Sequence, residues 1–445
     1  MSPLSNEMAK AGLALLILVS VAVLSPAAAQ DDESKIKLKD LAKGIEAFNF
    51  GLIFRIFLDI RNTNLLISPF SVWSILAVLS QGAGNSITRD EMLSALGYNL
   101  ARKYKDPVEA YSRLSPYFLI KTSTVELEST NSIFYSKDIM INRNFIRRVQ
   151  STFGTKMTPI DFSALTAAST VNNEIYQATR GKVEEIVYTN DMKNSVMILT
   201  NAAFFKGKWT LPFNSSETTT APFFDERSRE VGKVRMMFQR SPLPYANMQS
   251  FKSHVLELPY GQASCKSYVD DPSTCPHSTN PTDNTEENRL SMVIILPHRG
   301  VTLAEVMRLG AEIPVASIFT ALKQAAEEYE DDEVDIYLPR IKVTSDLILN
   351  KVLTEMGMHE VFDSSYADFS NMSSTRNLHL SRVIHKATIE VTEEGTVASA
   401  VAAGQFSDKT TPRQFKANRP FIYLIFEKST NVILFGGSYV KPSLF

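Results

Sequence analysis

The strongest constraint on the fold comes from residues 393–421, near the C-terminus. Two acids and Gly395 open this segment, and a run of small residues, rich in alanine, follows as far as Gly404. No side chain in the run is bulky enough to anchor a core, which predicts an exposed loop. Four residues nevertheless share one face at a period of two: Thr396, Ala398, Ala400 and Ala402. That face could be buried if the segment became a strand, so composition leaves open a two-state loop and a flexible linker.

The rest of the composition is that of an ordinary globular protein. The chain has 445 residues, of which 44% are hydrophobic and 21% charged, and its formal net charge is -2. This near-neutral charge gives no argument for a nucleic-acid partner. The sequence has no Gly-x-Ser-x-Gly, no His-Glu-x-x-His and no phosphate-binding glycine loop. We therefore expect no catalytic residues, no metal and no cofactor.

The N-terminus, residues 1–29, has the features of a secretory signal peptide. Lys10 precedes an apolar run at 11–24, and an alanine triplet at 27–29 supplies a cleavage site. The run is short for a transmembrane helix, the main alternative. We expect residues 30–445 to form a secreted, extracellular and monomeric protein without a membrane partner.

Both cysteines fall in residues 261–289, a stretch rich in Ser, Thr, Asp, Asn and Pro. In a secreted protein we expect Cys265 and Cys275 to pair with each other. Only His277 lies near them, which does not complete a zinc site. The stretch predicts a surface insertion without a role of its own, and the alternative is a contact site for a partner. Two sequons are candidate N-glycosylation sites: Asn214 and Asn371.

Local patterns predict several individual elements. Apolar residues at helical spacing indicate an amphipathic first helix: Leu38, Leu41, Ile45, Phe48, Leu52 and Ile56. Ser68 is predicted to cap a helix that has Pro69 at its first position. The apolar run at 196–205 predicts a strand buried on both faces. Residues 255–260 and 290–297 are expected to pair as antiparallel strands.

Six segments spread along the mature chain share the pattern of one family: NLLISPFSVWSILAVLSQGAG, VNNEIYQATRGKVEEIV, LPRIKVTSDLILNKVLTEMGMHEVF, ADFSNMS, EEGTVASAVAA and NRPFIYLIF. They resemble the serpins. The resemblance implies a single α+β domain at 30–445, with three β-sheets, eight or nine helices and an exposed reactive-centre loop at about 393–418. Residues 261–289 depart from the pattern, because most serpins join the flanking strands by a tight turn.

The resemblance also implies a scissile bond, located by two counts. In serpins the residue before this bond lies fourteen positions after the hinge glycine and nine before the Asn of Asn-x-Pro-Phe. Counting from Gly395 and from Asn418 gives the same residue, Lys409, so the implied bond is Lys409–Thr410. Lysine suits a trypsin-like protease, whose primary pocket has an acid at its base. The register disfavours two other candidates: Phe406 and Arg413.

Other residues match positions that serpins use when the cleaved loop enters the main sheet, sheet A. The hinge positions are Glu393, Glu394, Gly395, Thr396, Ala398, Ala400 and Ala402. A polar cluster under the opening strands is matched by Ser68, Ser71, Asn201 and His385. The point where the loop first enters is matched by Trp209, Arg340 and Glu393. An ordinary core role is the alternative for each polar side chain and for the tryptophan.

The implied function is suicide inhibition of an extracellular trypsin-like serine protease, the expected covalent partner. Loop insertion as a new strand would trap the acyl-enzyme. The sequence looks more like arthropod haemolymph serpins than vertebrate ones, which would imply restraint of a melanisation or Toll-activating cascade. The alternative is a non-inhibitory serpin that acts as a carrier, storage protein or chaperone. Such members usually have bulky, charged or proline residues in the hinge, and here only Val401 is bulkier than is common.

Overall fold

The computed structural model describes residues 26–98, 111–112, 114–115, 122, 124–261, 289–328, 332–393, 412–428 and 430–443. Several predicted features lie outside the described residues: signal-peptide residues 1–25, Cys265, Cys275, the hinge from Glu394 to Ala402, Lys409 and Thr410. Their assignments stay predictions.

The described residues form nine α-helices and two short 3-10 helices. The α-helices are α1 (Pro26–Asp59), α2 (Pro69–Ser80), α3 (Ile87–Ala95), α4 (Arg143–Phe153), α5 (Ala167–Ala178), α6 (Thr189–Met192), α7 (Leu303–Gly310), α8 (Val315–Glu328) and α9 (Asn350–Glu355). The 3-10 helices are Ser215–Glu217 and Glu360–Phe362. The predicted first helix is confirmed, since its apolar positions Ile45, Phe48, Leu52 and Ile56 are buried in α1.

Fifteen strands lie in the described ranges: β1 (Leu65–Ile67), β2 (Val125–Ser136), β3 (Lys156–Ile160), β4 (Met197–Gly207), β5 (Thr219–Phe224), β6 (Glu230–Ser241), β7 (Tyr245–Met248), β8 (Ser253–Pro259), β9 (Leu290–Pro297), β10 (Val334–Pro339), β11 (Ile341–Ile348), β12 (Arg382–Val391), β13 (Arg413–Lys416), β14 (Phe421–Glu427) and β15 (Val432–Tyr439). They form three sheets. Sheet A has the order β11-β12-β4-β2-β3, sheet B the order β1-β15-β14-β9-β8-β7, and sheet C the order β13-β10-β6-β5.

Strand β4 is the middle strand of sheet A and separates two apolar clusters. Leu199 and Ala203 belong to the main core, which also contains most of α2. Ile198 and Ala202 belong to a second cluster with Val171 of α5. Because side chains alternate along a strand, each face of β4 packs against a helix. The predicted burial of this strand on both faces is confirmed, and it explains the continuous apolar run in the sequence.

The predicted pairing of the strands that flank the insertion is also confirmed. Strands β8 and β9 pair antiparallel from Ser253 and Pro297 to Pro259 and Ser291. The Tyr260 amide donates to the Leu290 carbonyl at 3.0 Å, so the two ends of the insertion lie side by side. A long insertion can therefore leave the sheet without disturbing its register.

Candidate functional site

The candidate site is the boundary between β4 and β12, which we call the seam. The two strands run parallel, with Arg382 opposite Ile198 at one end and Ile389 opposite Phe205 at the other. The ladders on both sides continue two residues further, to Gly207 on β4 and to Val391 on β12. Sheet A is therefore open at this end of the seam, and the chain leaves β12 there toward Glu393 and the predicted reactive loop.

A group of hydrogen-bonded side chains crosses the seam near the middle of the β4–β12 ladder. Strand register aligns His385 of β12 with Asn201 of β4, and Asn201 with Asn131 of β2. The His385 Nδ1 and Asn201 Oδ1 atoms lie 2.5 Å apart, and Asn201 Nδ2 donates to Asn131 Oδ1 at 2.5 Å. From α2, the Ser71 hydroxyl donates to Asn201 Oδ1 at 2.7 Å. We call Ser68, Ser71, Asn131, Asn201 and His385 the seam cluster.

The contacts of His385 fix its tautomer. The backbone amide of Ser68 donates to Nε2 at 3.1 Å, so Nε2 has no proton and Nδ1–H is the donor to Asn201. The ring is fully buried. Burial lowers the pKa of His385 to about 3, although the contact with Asn201 opposes the shift. Neutral histidine is the form that fits, since a proton on Nε2 would face the Ser68 N–H.

Ser68 differs from its sequence prediction. It occupies the N-cap position of α2, and Pro69 follows at the first turn, but its side chain makes no capping hydrogen bond. The hydroxyl instead donates to the Leu434 carbonyl of β15 at 2.7 Å. The predicted side-chain cap is wrong: the buried hydroxyl donates to sheet B and accepts no hydrogen bond from an amide of its own helix. Ser68 thereby joins α2 to β15 on one side and to His385 on the other.

At the open end of the seam, Glu393 is held by three neighbours. Arg340 Nε donates to both carboxylate oxygens at 2.9 Å, and Thr218 Oγ1 donates to the carboxylate as well. The Phe213 amide donates to the Glu393 carbonyl at 2.9 Å. Burial alone would raise the pKa of Glu393, but the bonds from Arg340 and Thr218 outweigh it and hold the pKa below its ordinary value. We call Glu393, Arg340, Thr218 and Trp209 the hinge anchor.

Trp209 completes the hinge anchor through the backbone. Its indole Nε1 donates to the Thr392 carbonyl at 2.9 Å, and its ring stacks on Tyr260 at a centroid distance of 4.3 Å. Gly207 makes this stack possible, because a Cβ atom there would lie 2.6 Å from the Tyr260 ring. The last residues before the predicted loop are therefore fixed by both backbone and side-chain bonds.

Within the described residues, the sequence-predicted positions form two groups. Ser68, Ser71, Asn201 and His385 meet at mid-seam, and Trp209, Arg340 and Glu393 meet at its open end. Sequence reasoning missed Asn131 and Thr218. The only signal for Asn131 is its register opposite Asn201, which requires knowledge of the strand pairing.

The two sequons differ in their surroundings. Asn214 is exposed, and its Oδ1 accepts from the Ser216 amide at 3.0 Å and hydroxyl at 2.8 Å. Asn371 instead uses its Nδ2, the atom that would carry a glycan, to donate to the Ala83 carbonyl at 2.6 Å. The hydroxyl of Ser373 in that sequon is turned to the Met140 carbonyl at 2.8 Å.

None of the helices in the described ranges is long and apolar enough to cross a membrane. The same ranges contain no group of three or more His, Cys, Asp or Glu side chains that could hold a metal ion.

Comparison with known proteins identifies the family. A family profile described as Serpin (serine protease inhibitor) matches residues 43–442. The leukocyte elastase inhibitor of Xenopus laevis is 31% identical over 91% of this chain and 100% of its own length. Human plasminogen activator inhibitor 2 is 28% identical over 85% of this chain and 94% of its own. The chain belongs to the serpin family.

Solved structures agree on the fold. Human thyroxine-binding globulin in complex with its ligand superimposes with a TM-score of 0.74 at 25% identity, over 92% of this chain and 100% of that one. Uncleaved ovalbumin superimposes with a TM-score of 0.72 at 22% identity, over 91% of this chain and 100% of that one. The predicted α+β fold with three sheets is confirmed. The two relatives by sequence are named as inhibitors, whereas thyroxine-binding globulin is named for binding thyroxine, so the fold alone does not select between these roles.

Proposed function

We propose that this serpin is a secreted inhibitor of a trypsin-like serine protease, which it traps by inserting its cleaved reactive loop into the seam. The observation that carries the proposal is the shape of sheet A. Its strands β12 and β4 are parallel neighbours, and their ladder stops short at the end where β12 leads into the loop. A chain that turns back from Glu393 into that opening runs antiparallel to both β12 and β4.

Insertion of the loop would replace one hydrogen-bond ladder between β4 and β12 with two more stable ladders. The single parallel ladder of the seam would give way to two antiparallel ladders, which are slightly more stable per residue. A dozen or so additional ladder bonds at ~1 kcal/mol each would release on the order of 10 kcal/mol. Whole domains are stable by only about 5–15 kcal/mol. That release is therefore large enough to distort the active site of an attached protease.

The loop composition supports an inhibitor rather than a carrier or storage protein. Thr396, Ala398, Ala400 and Ala402 form the face that would turn under sheet A, and small residues are accommodated there most easily. Thyroxine-binding globulin and ovalbumin share the fold, so the hinge and not the architecture must separate the two functions. A carrier or storage role remains the alternative that cleavage without trapping would favour.

We place the scissile bond after Lys409, and the contacts of Arg413 give a reason to prefer Lys409 over it. The residue before the scissile bond is called the bait residue. Arg413 begins β13, where it is opposite Val334 of β10 and its guanidinium lies 5.4 Å from the centre of the Tyr245 ring. A residue engaged in sheet C is poorly placed to enter a protease pocket in an extended conformation. Lys409 lies four positions earlier, within the loop that both counts indicate.

Secretion is proposed on the basis of residues 1–29, and the setting of a melanisation or Toll cascade on the arthropod-like sequence. A secreted protein would form the Cys265–Cys275 disulfide within the insertion. Of the two sequons, Asn214 is the proposed glycan site, because its Nδ2 atom forms no hydrogen bond with the described residues whereas that of Asn371 does.

Incubation with trypsin tests the bait and the trapping step together. The parent protein should form a complex that survives SDS and release a peptide that begins at Thr410. Lys409→Ala should abolish the complex without changing the melting temperature, because we expect Lys409 to lie in an exposed loop, where a side chain contributes little to stability. Arg413→Ala is the control and should still trap trypsin. Trapping by Lys409→Ala at the parent rate would reject this bait, and cleavage of the parent without a complex would reject inhibition.

A further inference from the structure

A polar cavity that takes no part in the seam lies between α2, α3 and α4. Its volume is about 370 Å³. The cavity is bounded by the residue that follows α2, by the first turn of α3, by the first two turns of α4, and by the segment after the 3-10 helix Glu360–Phe362. The polar residues of its wall are Gln81, Arg89, Asn142, Asn144, Arg148 and Asn371. We call it the α3–α4 cavity.

The charged side chains that the structure describes in this wall are both basic. They are Arg89 and Arg148, and no acidic side chain of the described ranges joins them. Within the part of the chain that the structure describes, neither arginine forms an ion pair with another residue. Asp368, which packs on the connection between α2 and α3, is turned to the Ser370 amide at 3.0 Å and does not line the cavity. Two guanidinium groups without a countercharge favour an anionic ligand.

Two hydrogen-bond donors of the wall have no partner. Gln81 Nε2 and Arg89 Nε are buried and have no partner among the described residues. Both are donors, and buried donors are almost always paired in folded proteins. These two donors therefore lack an acceptor oxygen, which a sulfate or phosphate ester and sugar hydroxyls can provide.

Amide side chains supply the remaining polar groups. Asn142 is the N-cap of α4, and its Oδ1 accepts from the Asn144 amide at 2.9 Å. Asn371 donates Nδ2 to Ala83, which leaves its Oδ1 as an acceptor. Amide groups that can both donate and accept are suited to hydroxyl groups, which also do both. The start of an eleven-residue helix adds a positive dipole end at the same place.

We propose that the α3–α4 cavity binds a sugar that carries a sulfate or phosphate ester. The two arginines would hold the ester, and the amides would hold the ring hydroxyls. A free inorganic anion would fill only a small part of a cavity of this volume, whereas ligand pockets of a few hundred Å³ accept small organic molecules. Ligand binding at this place would be separate from protease inhibition, because none of the cavity residues belongs to the seam cluster or to the hinge anchor.

Calorimetric titration of the full secreted protein tests the proposal with three matched probes. These are N-acetylglucosamine 6-sulfate, N-acetylglucosamine 6-phosphate and uncharged N-acetylglucosamine. At least one ester should bind saturably with one site per chain, and the uncharged sugar should bind at least tenfold more weakly. The ester that binds with the higher affinity shows whether the ligand carries a sulfate or a phosphate group. Absence of binding by both esters overturns the proposal.

Arg148→Ala should lower the affinity for the bound ester at least tenfold, and Arg89→Ala should do the same. Arg147→Ala is the matched control, because this arginine is exposed on the same helix but does not line the cavity. It should change the affinity less than threefold. An equal loss in Arg147→Ala and Arg148→Ala would show diffuse attraction to α4 and overturn the proposal. If Arg89→Ala fails to fold, the comparison of the two α4 variants decides, since both positions are on the surface of the helix.

Discussion

The hinge anchor and the seam cluster both hold groups that the proposed loop insertion would separate, but they use opposite chemistry. The hinge anchor is ionic: Glu393 carries a charge that Arg340 neutralises, and the Arg340 side chain keeps 28% of its surface exposed. The seam cluster is neutral: His385 has no exposed surface, and its contacts with Asn201 and Ser68 require the uncharged ring.

The difference follows from where each group must act. An ion pair at the edge of sheet A can be released into water, where solvent replaces the lost partner. A charge at mid-seam would have no such replacement between two apolar clusters, so only neutral hydrogen bonds are tolerated there. We infer that the hinge anchor limits the first step of insertion, whereas the seam cluster limits its passage through the middle of the sheet.

The largest effect should come from Asn201→Ala. This change removes the partner of three side chains: the donors of Ser71 and His385 and the side-chain oxygen of Asn131. It should lower the free energy of unfolding of the intact protein by about 3–4 kcal/mol. Urea denaturation measures it. Thr200→Val is the matched control on the same strand, since the buried Thr200 hydroxyl has no partner among the described residues. The control should change stability by less than about 0.5 kcal/mol, and an Asn201→Ala loss no larger than that would contradict the importance of the cluster.

A smaller loss is expected at the hinge anchor. Arg340→Gln removes the charge that neutralises Glu393 and should lower the free energy of unfolding by about 2 kcal/mol. The loss is smaller than for a fully buried pair because the Arg340 side chain is partly exposed. The variant should also trap trypsin faster, since Glu393 is released more easily. Arg308→Gln, which breaks an exposed pair with Glu312, is the control and should have no measurable effect. A slower trapping rate in Arg340→Gln would argue that the anchor guides the loop instead of restraining it.

The pH dependence should separate the two regions. The pKa of His385 is about 3 in the folded protein and near its ordinary value of 6.5 when unfolded. The unfolded chain therefore binds an extra proton between these values, and stability falls as the pH falls below about 6.5, by up to ~1.4 kcal/mol per pH unit. Glu393, whose pKa is lowered, loses its contribution only as the pH falls below about 4.5.

His385→Gln isolates the histidine contribution. Glutamine keeps a donor and an acceptor but cannot take up a proton, so the variant should be less stable at pH 7 and have a shallower slope between pH 6.5 and 5. Comparison with the parent removes the contribution of His254, whose pKa is also lowered, to about 4. Equal slopes in the two proteins would mean that His385 does not titrate on unfolding in this range.

The sequence predicted the helices and strands better than it predicted the hydrogen-bond partners of their side chains. The strand β4 was recognisable because burial on both faces demands a continuous apolar run, and the flanks of the loop carried a family pattern. The partners of Asn201 and Glu393 were only partly recognisable, since Asn131 and Thr218 reach them through strand register and chain packing. Ser68 was misassigned for the same reason: its sequence context favours a cap, but its hydroxyl donates a hydrogen bond to the Leu434 carbonyl of a distant strand.

The central claim is that the seam must open, and a reversible cross-link across it tests this most directly. Ala203 of β4 and Ala387 of β12 are paired in register and buried. Neighbouring strands are ~4.8 Å apart, within the range that a disulfide can span. In the double variant Ala203→Cys and Ala387→Cys, formation of the cross-link should be verified by mass spectrometry.

The oxidised variant should be cleaved by trypsin without forming a covalent complex, and its melting temperature should not rise after cleavage. Reduction should restore both the complex and the rise, as in the parent protein treated with the same reductant. If the cross-linked protein traps trypsin as efficiently as the reduced protein, the loop does not enter between β4 and β12 and the account is wrong.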